Sequence, residues 1–317
     1  MGLPVFILMR LLGALATILG GSLAIFLALQ AAPGDPALAV LQESANPQAV
    51  ADFRRLHGLD RPALAQYASL MAGAARGDFG MSLTVGGGVP IGRLILQRLP
   101  NTLFVGAYAI VLALLVAVTA ATVAAARRGG AVDAAITTVA VGLISMPDFW
   151  LSYMLVLVFA LHLGVLPAYG FTPPGTSMAG ALITGLLPAL SICASMTGFF
   201  ARILRASLVE MWGRAHVTAA RSFGLGRGFV YLHHVLRNAV VPLVVVMGFQ
   251  VRHLLGGVVI IEKIFGIPGL GSLMVDGAFA RDYPLVLTCA LTFLTAVVVV
   301  NLVIDLACAA LDPRRVR

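Results

Sequence analysis

Thr218-Ala219-Ala220-Arg221-Ser222-Phe223-Gly224-Leu225-Gly226-Arg227, with His233-His234-Val235-Leu236-Arg237-Asn238 and Pro242 close behind, is a basic island in an oily chain. Long apolar segments flank it on both sides. A polar helix–turn–helix held between two membrane spans is placed to touch something outside the bilayer. Thr218, Ala219 and Ala220 are small, so another surface can approach the backbone closely. Gly224 permits the turn that ends a short helix. Arg221, Arg227 and Arg237 hold the loop on the cytoplasmic side and can pair with carboxylates on a partner. An ordinary basic loop would have the charge without the small-residue patch and the glycine hinge.

The rest of the composition fixes the solvent. Of 317 residues, 60% are hydrophobic and 11% charged, against about 25% charged in soluble domains. Mean hydropathy is +1.00. This much apolar surface needs a bilayer. The net charge of +8 is almost wholly arginine, with Lys263 the single lysine. In a membrane chain such a balance points to cytoplasmic loops rather than to nucleic acid. Cys193, Cys289 and Cys308 fall in apolar segments without metal-ligand or stapling spacing, and read as small buried hydrophobes.

Six spans are expected, in an all-α membrane protein: Leu11–Ala32, Leu103–Ala126, Ala134–Leu163, Met178–Ala201, Ala239–Ile261 and Pro284–Ile304. Each approaches or exceeds the roughly 20 residues that cross a hydrocarbon core. The first is longer than a signal-peptide core, and no clean cleavage site follows. The third is broken at Met146-Pro147-Asp148, and the fifth is interrupted by Arg252-His253. The chain thus divides into an N-terminus with its span (1–32), an insert (33–100) and a five-span core (101–317), whose loop covers 202–238. That loop region, 202–237, holds six arginines against Glu210, whereas 33–100 holds six arginines against five acids. The bias places the loop and both termini in the cytoplasm and the insert outside.

The insert reads as folded. Asn46-Pro47 is an N-cap with proline at the first helical position. Val50, Phe53 and Leu56 follow at spacings of three, and Gly58 closes the helix. Asp60 with Pro62 starts a second helix carrying Leu64, Tyr67 and Met71, with Gly73 as its stop. Such helices pack on the bundle, lie in the lipid interface or receive a soluble partner; the sequence leaves all three open. Gly86-Gly87-Gly88 is a turn rather than a phosphate loop.

Catalysis by this chain has no support. No Walker A sequence, His-Glu-x-x-His, paired Cys-x-x-Cys or Gly-x-Ser-x-Gly occurs. His233 and His234 are adjacent, whereas helical metal ligands sit three or four apart. No catalytic residue and no metal site is expected. Arg252 and His253 in mid-span are costly, and such groups face a cavity or a partner. Arg252 either attracts an anionic group of a solute or makes a structural pair, with Asp148 one possible counter-ion. These three residues are the pathway candidates.

The island resembles the EAA loop of ABC importer permeases: Ala219, Ala220 and Gly224 match, Pro242 follows, and Thr218 stands where that pattern has glutamate. Further matches run along the chain. They are Ala32-Pro33-Gly34-Asp35-Pro36, Gly58-Leu59-Asp60-Arg61-Pro62 and Gly77-Asp78-Phe79-Gly80-Met81-Ser82. Next come Arg98-Leu99-Pro100-Asn101-Thr102-Leu103, the run from Glu262 to Gly271, Arg281-Asp282-Tyr283-Pro284 and Leu311-Asp312-Pro313-Arg314. In this order they are similar to the dipeptide/oligopeptide/nickel permease family, and to its first-type subunit with the long external insert.

The resemblance implies a type I ABC importer permease fold in the bacterial inner membrane, with a small helical periplasmic insert. It implies a non-catalytic half-pore beside a second related permease. Two ATPase subunits would bind ATP and Mg, and a periplasmic binding protein would deliver the solute. Thr218, Ala219, Ala220, Arg221, Gly224 and Leu225 would couple to the ATPases, through a helix over roughly 215–224. A peptide is the expected solute, with a nickel chelate, glutathione or an oligosaccharide as alternatives. An ion-coupled secondary transporter is the rival class. It calls for acidic relays at the midplane, and the spans are poor in acids.

Overall fold

A computed structural model describes residues 3–31, 35–41, 46–85 and 87–311. The Ala32-Pro33-Gly34, Gly86 and Asp312-Pro313-Arg314 parts of the motifs, and the side chain of Arg252, lie outside the described residues. In chain order the helices are α1 (Leu3–Ala31), α2 (Pro36–Leu41), α3 (Pro47–Leu56), α4 (Ala63–Ala75), α5 (Ile91–Ala126), α6 (Ala131–Ser145) and α7 (Asp148–Leu155). Then come α8 (Met178–Trp212), α9 (Ala215–Ser222), α10 (Arg227–Val230), α11 (Arg237–Phe265), α12 (Leu270–Phe279) and α13 (Tyr283–Leu311). Two π-helical stretches, Val156–His162 and Tyr231–Leu236, extend α7 and join α10 to α11. Among the described residues there are no strands, only an isolated bridge between Met81 and Pro90. Five helices are long and apolar enough to cross a membrane, or up to seven if each bent pair forms one span.

Two compact units emerge, one built mainly on Leu103–Ile267, the other on Leu8–Thr102 and Pro268–Val299. In the first, α8 is central and packs against α6, α7 and α11. Phe200, Leu204 and Leu208 on α8 are fully buried, as are Ala109, Ala113, Ala117 and Ala121 at four-residue spacing on α5. In a bilayer, apolar residues gain little by leaving lipid for protein, so small side chains and close packing hold helices together. Gly198 shows this: a Cβ there would sit 2.5 Å from the Ala140 carbonyl oxygen of α6.

The stretch read as one span over Ala134–Leu163 is two helices bent by 104°. Pro147 has no N–H to continue the ladder and forces the residue before it out of helical geometry. Met146 accordingly takes φ −85°, ψ 129°. Only Gly213–Arg214 and Phe223–Gly226 of the segment 202–238 fall outside helix, because α8 runs on to Trp212 and helix resumes at Arg227.

The second unit gathers motifs that lie far apart in the sequence. Asn101 Nδ2 donates to the Pro268 carbonyl at 2.8 Å, and Thr102 Oγ1 accepts from Leu270 N at 2.8 Å. Asp282 is completely buried. Its carboxylate accepts from Ser82 Oγ at 2.6 Å, Thr84 N at 2.9 Å and Leu285 N at 3.3 Å. A buried carboxylate is tolerable only when its lone pairs are satisfied in this way. Ile91, Ile95, Leu270, Leu273, Leu285 and Cys289 form the apolar core beneath, with Phe79 packed on it.

The α3 helix follows its signals: Asn46 Oδ1 accepts from Ala49 N at 2.7 Å, and Gly58 closes it at φ +64°. Gly73 does not stop α4, which continues to Ala75. Its role is close approach, since a Cβ there would lie 2.6 Å from the Asp78 carbonyl oxygen. The left-handed residue after α4 is Gly77, at φ +77°. Tyr67 on α4 donates to the Leu19 carbonyl of α1 at 2.9 Å and sits 2.8 Å from Ser22 Oγ, which fixes α4 to α1.

Candidate functional site: the elbow and the intramembrane polar pair

The elbow is α9 and the turn after it. Its inner face is Val217 and Ala220, both buried; its outer face is Thr218, Ala219, Arg221 and Ser222, all exposed. Burial at i and i+3 with polar residues between makes a short helix lie flat on its support. Arg214 precedes it and pairs with Glu210 one turn back on α8. Phe223 N donates to the Ala219 carbonyl at 3.1 Å and Gly224 N to that of Arg221 at 3.0 Å. Gly224 then reverses the chain at φ +78°, with nothing within 4 Å of where a Cβ would stand. The Thr218 hydroxyl is not offered outward as a charge would be; it reaches the Arg214 carbonyl of its own helix at 3.5 Å.

The sequence reading left out the residue at the tip. Phe223 is 84% exposed, and Leu225 and Phe229 are exposed beside it. The signal was present: Phe223 is the lone aromatic between Thr218 and Arg227. The returning limb is held by Tyr231 Oη, 2.6 Å from Thr122 Oγ1, and by buried Val230 and Val235. Phe229 stacks on His233 at 4.2 Å and meets His234 edge-on at 6.1 Å. Among the described residues no three His, Cys, Asp or Glu side chains are grouped to hold a metal ion.

The second candidate lies within the bundle. Asp148 opens α7 at the 104° break, and its Oδ2 is 4.0 Å from His253 Nε2 on α11. Gly257, one turn on from His253, leaves room for the carboxylate: a Cβ there would be 3.6 Å from Asp148 Oδ2. The Asp148 side chain is 17% exposed and that of His253 is 65% exposed. Two of the three pathway candidates are therefore neighbours: among the described side chains, His253 faces Asp148.

A further ion pair was invisible in the sequence. Arg205 on α8 grips Asp133 at the start of α6 through Nε and Nη2, each at 2.5 Å. The acid is 4% exposed and also accepts from Gly129 N at 2.9 Å. A bidentate arginine fork of this kind fixes direction as well as charge.

Helices apolar enough to cross a membrane, an exposed elbow and a polar pair between helices are features of a membrane permease. Comparison with known proteins is consistent throughout. Residues 117–317 match the model of the binding-protein-dependent transport system inner membrane component, and residues 3–106 match the N-terminal model of the same membrane component. The chain belongs to this family. It is 35% identical over 310 residues to the probable peptide ABC transporter permease protein y4tP of Sinorhizobium fredii, covering 98% of each chain. It is also 35% identical over 308 residues to the glutathione transport system permease protein GsiC of Escherichia coli strain K12, covering 97% of each. It is a transmembrane permease subunit of an ABC importer with the type I fold, and the resemblance read from its motifs to the dipeptide/oligopeptide permeases is correct.

Proposed function

We propose that the elbow, Thr218, Ala219, Ala220, Arg221, Gly224 and Leu225 with Phe223 at its tip, seats in a cleft on an ATPase subunit and carries its motion into the bundle. Two such ATPases bind ATP and Mg, and this chain needs no cofactor of its own. A second related permease supplies the other half of the pore, and a periplasmic binding protein delivers the solute. Both termini and the elbow face the cytoplasm of a bacterium, across its inner membrane. The observation that supports this reading is the exposure of Phe223 at the tip of a basic turn. A large aromatic that anchors nothing inside its own chain is what a partner's pocket takes up. Gly224→Arg tests it. The change should leave membrane insertion intact and stop solute uptake while the ATPases still hydrolyse ATP; uptake at the normal rate overturns the assignment.

The solute is peptide-like. Relatives named for peptide and for glutathione transport support this, since both solutes carry amine and carboxylate groups. Asp148 with His253, and Arg252 on the same helix, supply complementary charge along the pathway. A charge held within a membrane bundle is costly and marks a route or a pair. Arg252→Ala should weaken uptake of anionic solutes about tenfold more than that of neutral ones. Equal losses for both sink direct charge recognition.

A further inference from the structure

The second unit forms a partly open cavity of about 720 Å³ between α1, the α3–α4 pair and the start of α13. It is outside both sites described above. Its wall and its rim differ in kind. The wall is Phe26 and Leu29 of α1, Phe79, and Leu287 and Leu291 of α13. The rim carries Arg54, His57 and Arg61 from α3 and its exit turn, with Asp35 and Asp78.

Of the two acids at the rim, Asp35 is ion-paired and Asp78 is held by a backbone N–H. Asp35 accepts from Arg54 at 2.5 Å and from Ala37 N at 2.9 Å, and Asp78 accepts from Gly80 N at 3.0 Å. Arg61 has no acidic partner among the described residues. It is held beside the left-handed Gly58, with Nε 3.5 Å from where a glycine Cβ would stand. Of the two rim arginines, Arg54 is therefore paired and Arg61 is not. From Tyr283 to Leu291 the wall descends α13 by about 12 Å, at 1.5 Å per residue. At that depth α1 and α13 are both segments apolar enough to cross a membrane.

We infer that this cavity binds a phospholipid with an anionic headgroup: the phosphate on Arg61, one acyl chain between α1 and α13. The volume lies within the range of sites that hold medium-sized ligands. An arginine without an acidic partner at the end of membrane helices is a group that can capture a headgroup phosphate. An acyl chain meets the apolar wall without loss. The occupied cavity would tie α3 and α4 to the membrane helices through lipid as well as through Tyr67.

The test uses the complete transport complex in nanodiscs, with two photoactivatable probes, phosphatidylglycerol and phosphatidylcholine, each carrying its diazirine on an acyl chain. The expected result is labelling of the 26–30 and 283–291 segments by phosphatidylglycerol, about fivefold above phosphatidylcholine. Arg61→Ala should remove that preference, while labelling at exposed Leu115 on α5 stays the same. Leu287→Trp should abolish labelling by filling the wall; where it impairs folding, Arg61→Ala alone decides. Equal labelling by both probes, unchanged by Arg61→Ala, identifies ordinary surrounding lipid and overturns the proposal. So does labelling that vanishes in favour of a protein cross-link when substrate-loaded binding protein is added.

Discussion

Of the corners that turn through a left-handed residue, two are built on opposite terms. At the elbow the residue is Gly224, at φ +78°, with open space around it. Before α13 it is Arg281, at φ +54°, followed by the fully buried Asp282. A side chain in that conformation costs roughly 1–2 kcal/mol. It persists when surrounding contacts over-determine it. Asp282 provides such contacts, drawing in Ser82, Thr84 and its own helix N-terminus. The elbow has no comparable anchor at its tip, uses glycine, and leaves Phe223 uncovered. A corner that serves the fold is satisfied from within; a corner that serves a partner is left unfinished.

The contrast breaks first at Asp282. Asp282→Ala strands the Thr84 N–H and removes the α13 cap, and should cost about 3 kcal/mol. Thermal unfolding in detergent reads it, and an unchanged midpoint refutes the internal-satisfaction account. Arg205→Leu comes next at about 2–3 kcal/mol, since it leaves buried Asp133 uncompensated. The Asp133→Leu, Arg205→Leu double variant should recover most of that loss. Phe223→Ala should leave stability within about 0.5 kcal/mol, as exposed positions do. It should nevertheless lower uptake about tenfold, measured in vesicles with ATP inside; parallel losses of stability and uptake would place Phe223 with the structural corner instead. The smallest effect is expected of Thr218→Glu. It adds a charge to an exposed face, and both unfolding midpoint and uptake should stay within about twofold of the parent, which measures how little the EAA-loop glutamate contributes here.

Local signals carried far in the sequence, and spatial ones did not. The Asn46-Pro47 cap, the Gly58 stop and the glycine hinge at 224 each act within one turn of helix, so residue identity reveals them. Pro147 announced a break but not its angle, because proline removes a bond without specifying the new direction. Gly73 was misread for the same reason: a glycine signals freedom or closeness, and only the Asp78 carbonyl tells which. Asp133 with Arg205, and Ser82 with Asp282, are separated by 72 and 200 positions. No periodicity links such partners. Phe223 escaped notice because one more apolar residue is unremarked in a chain so rich in them; its significance lies in what fails to cover it.

The helix α8 runs unbroken from Met178 to Trp212, reaching from the loop before it to the foot of the elbow. The Arg205–Asp133 clamp sits near one end. At 1.5 Å per residue the short arm is about 10 Å and the long arm about 40 Å. A rigid α8 pivoting on the clamp would travel about 4 Å at its far tip for about 1 Å at Trp212. Paired spin labels at the two tips, compared before and after Arg205→Leu, would measure that leverage; equal travel at both ends would mean a rod that merely slides.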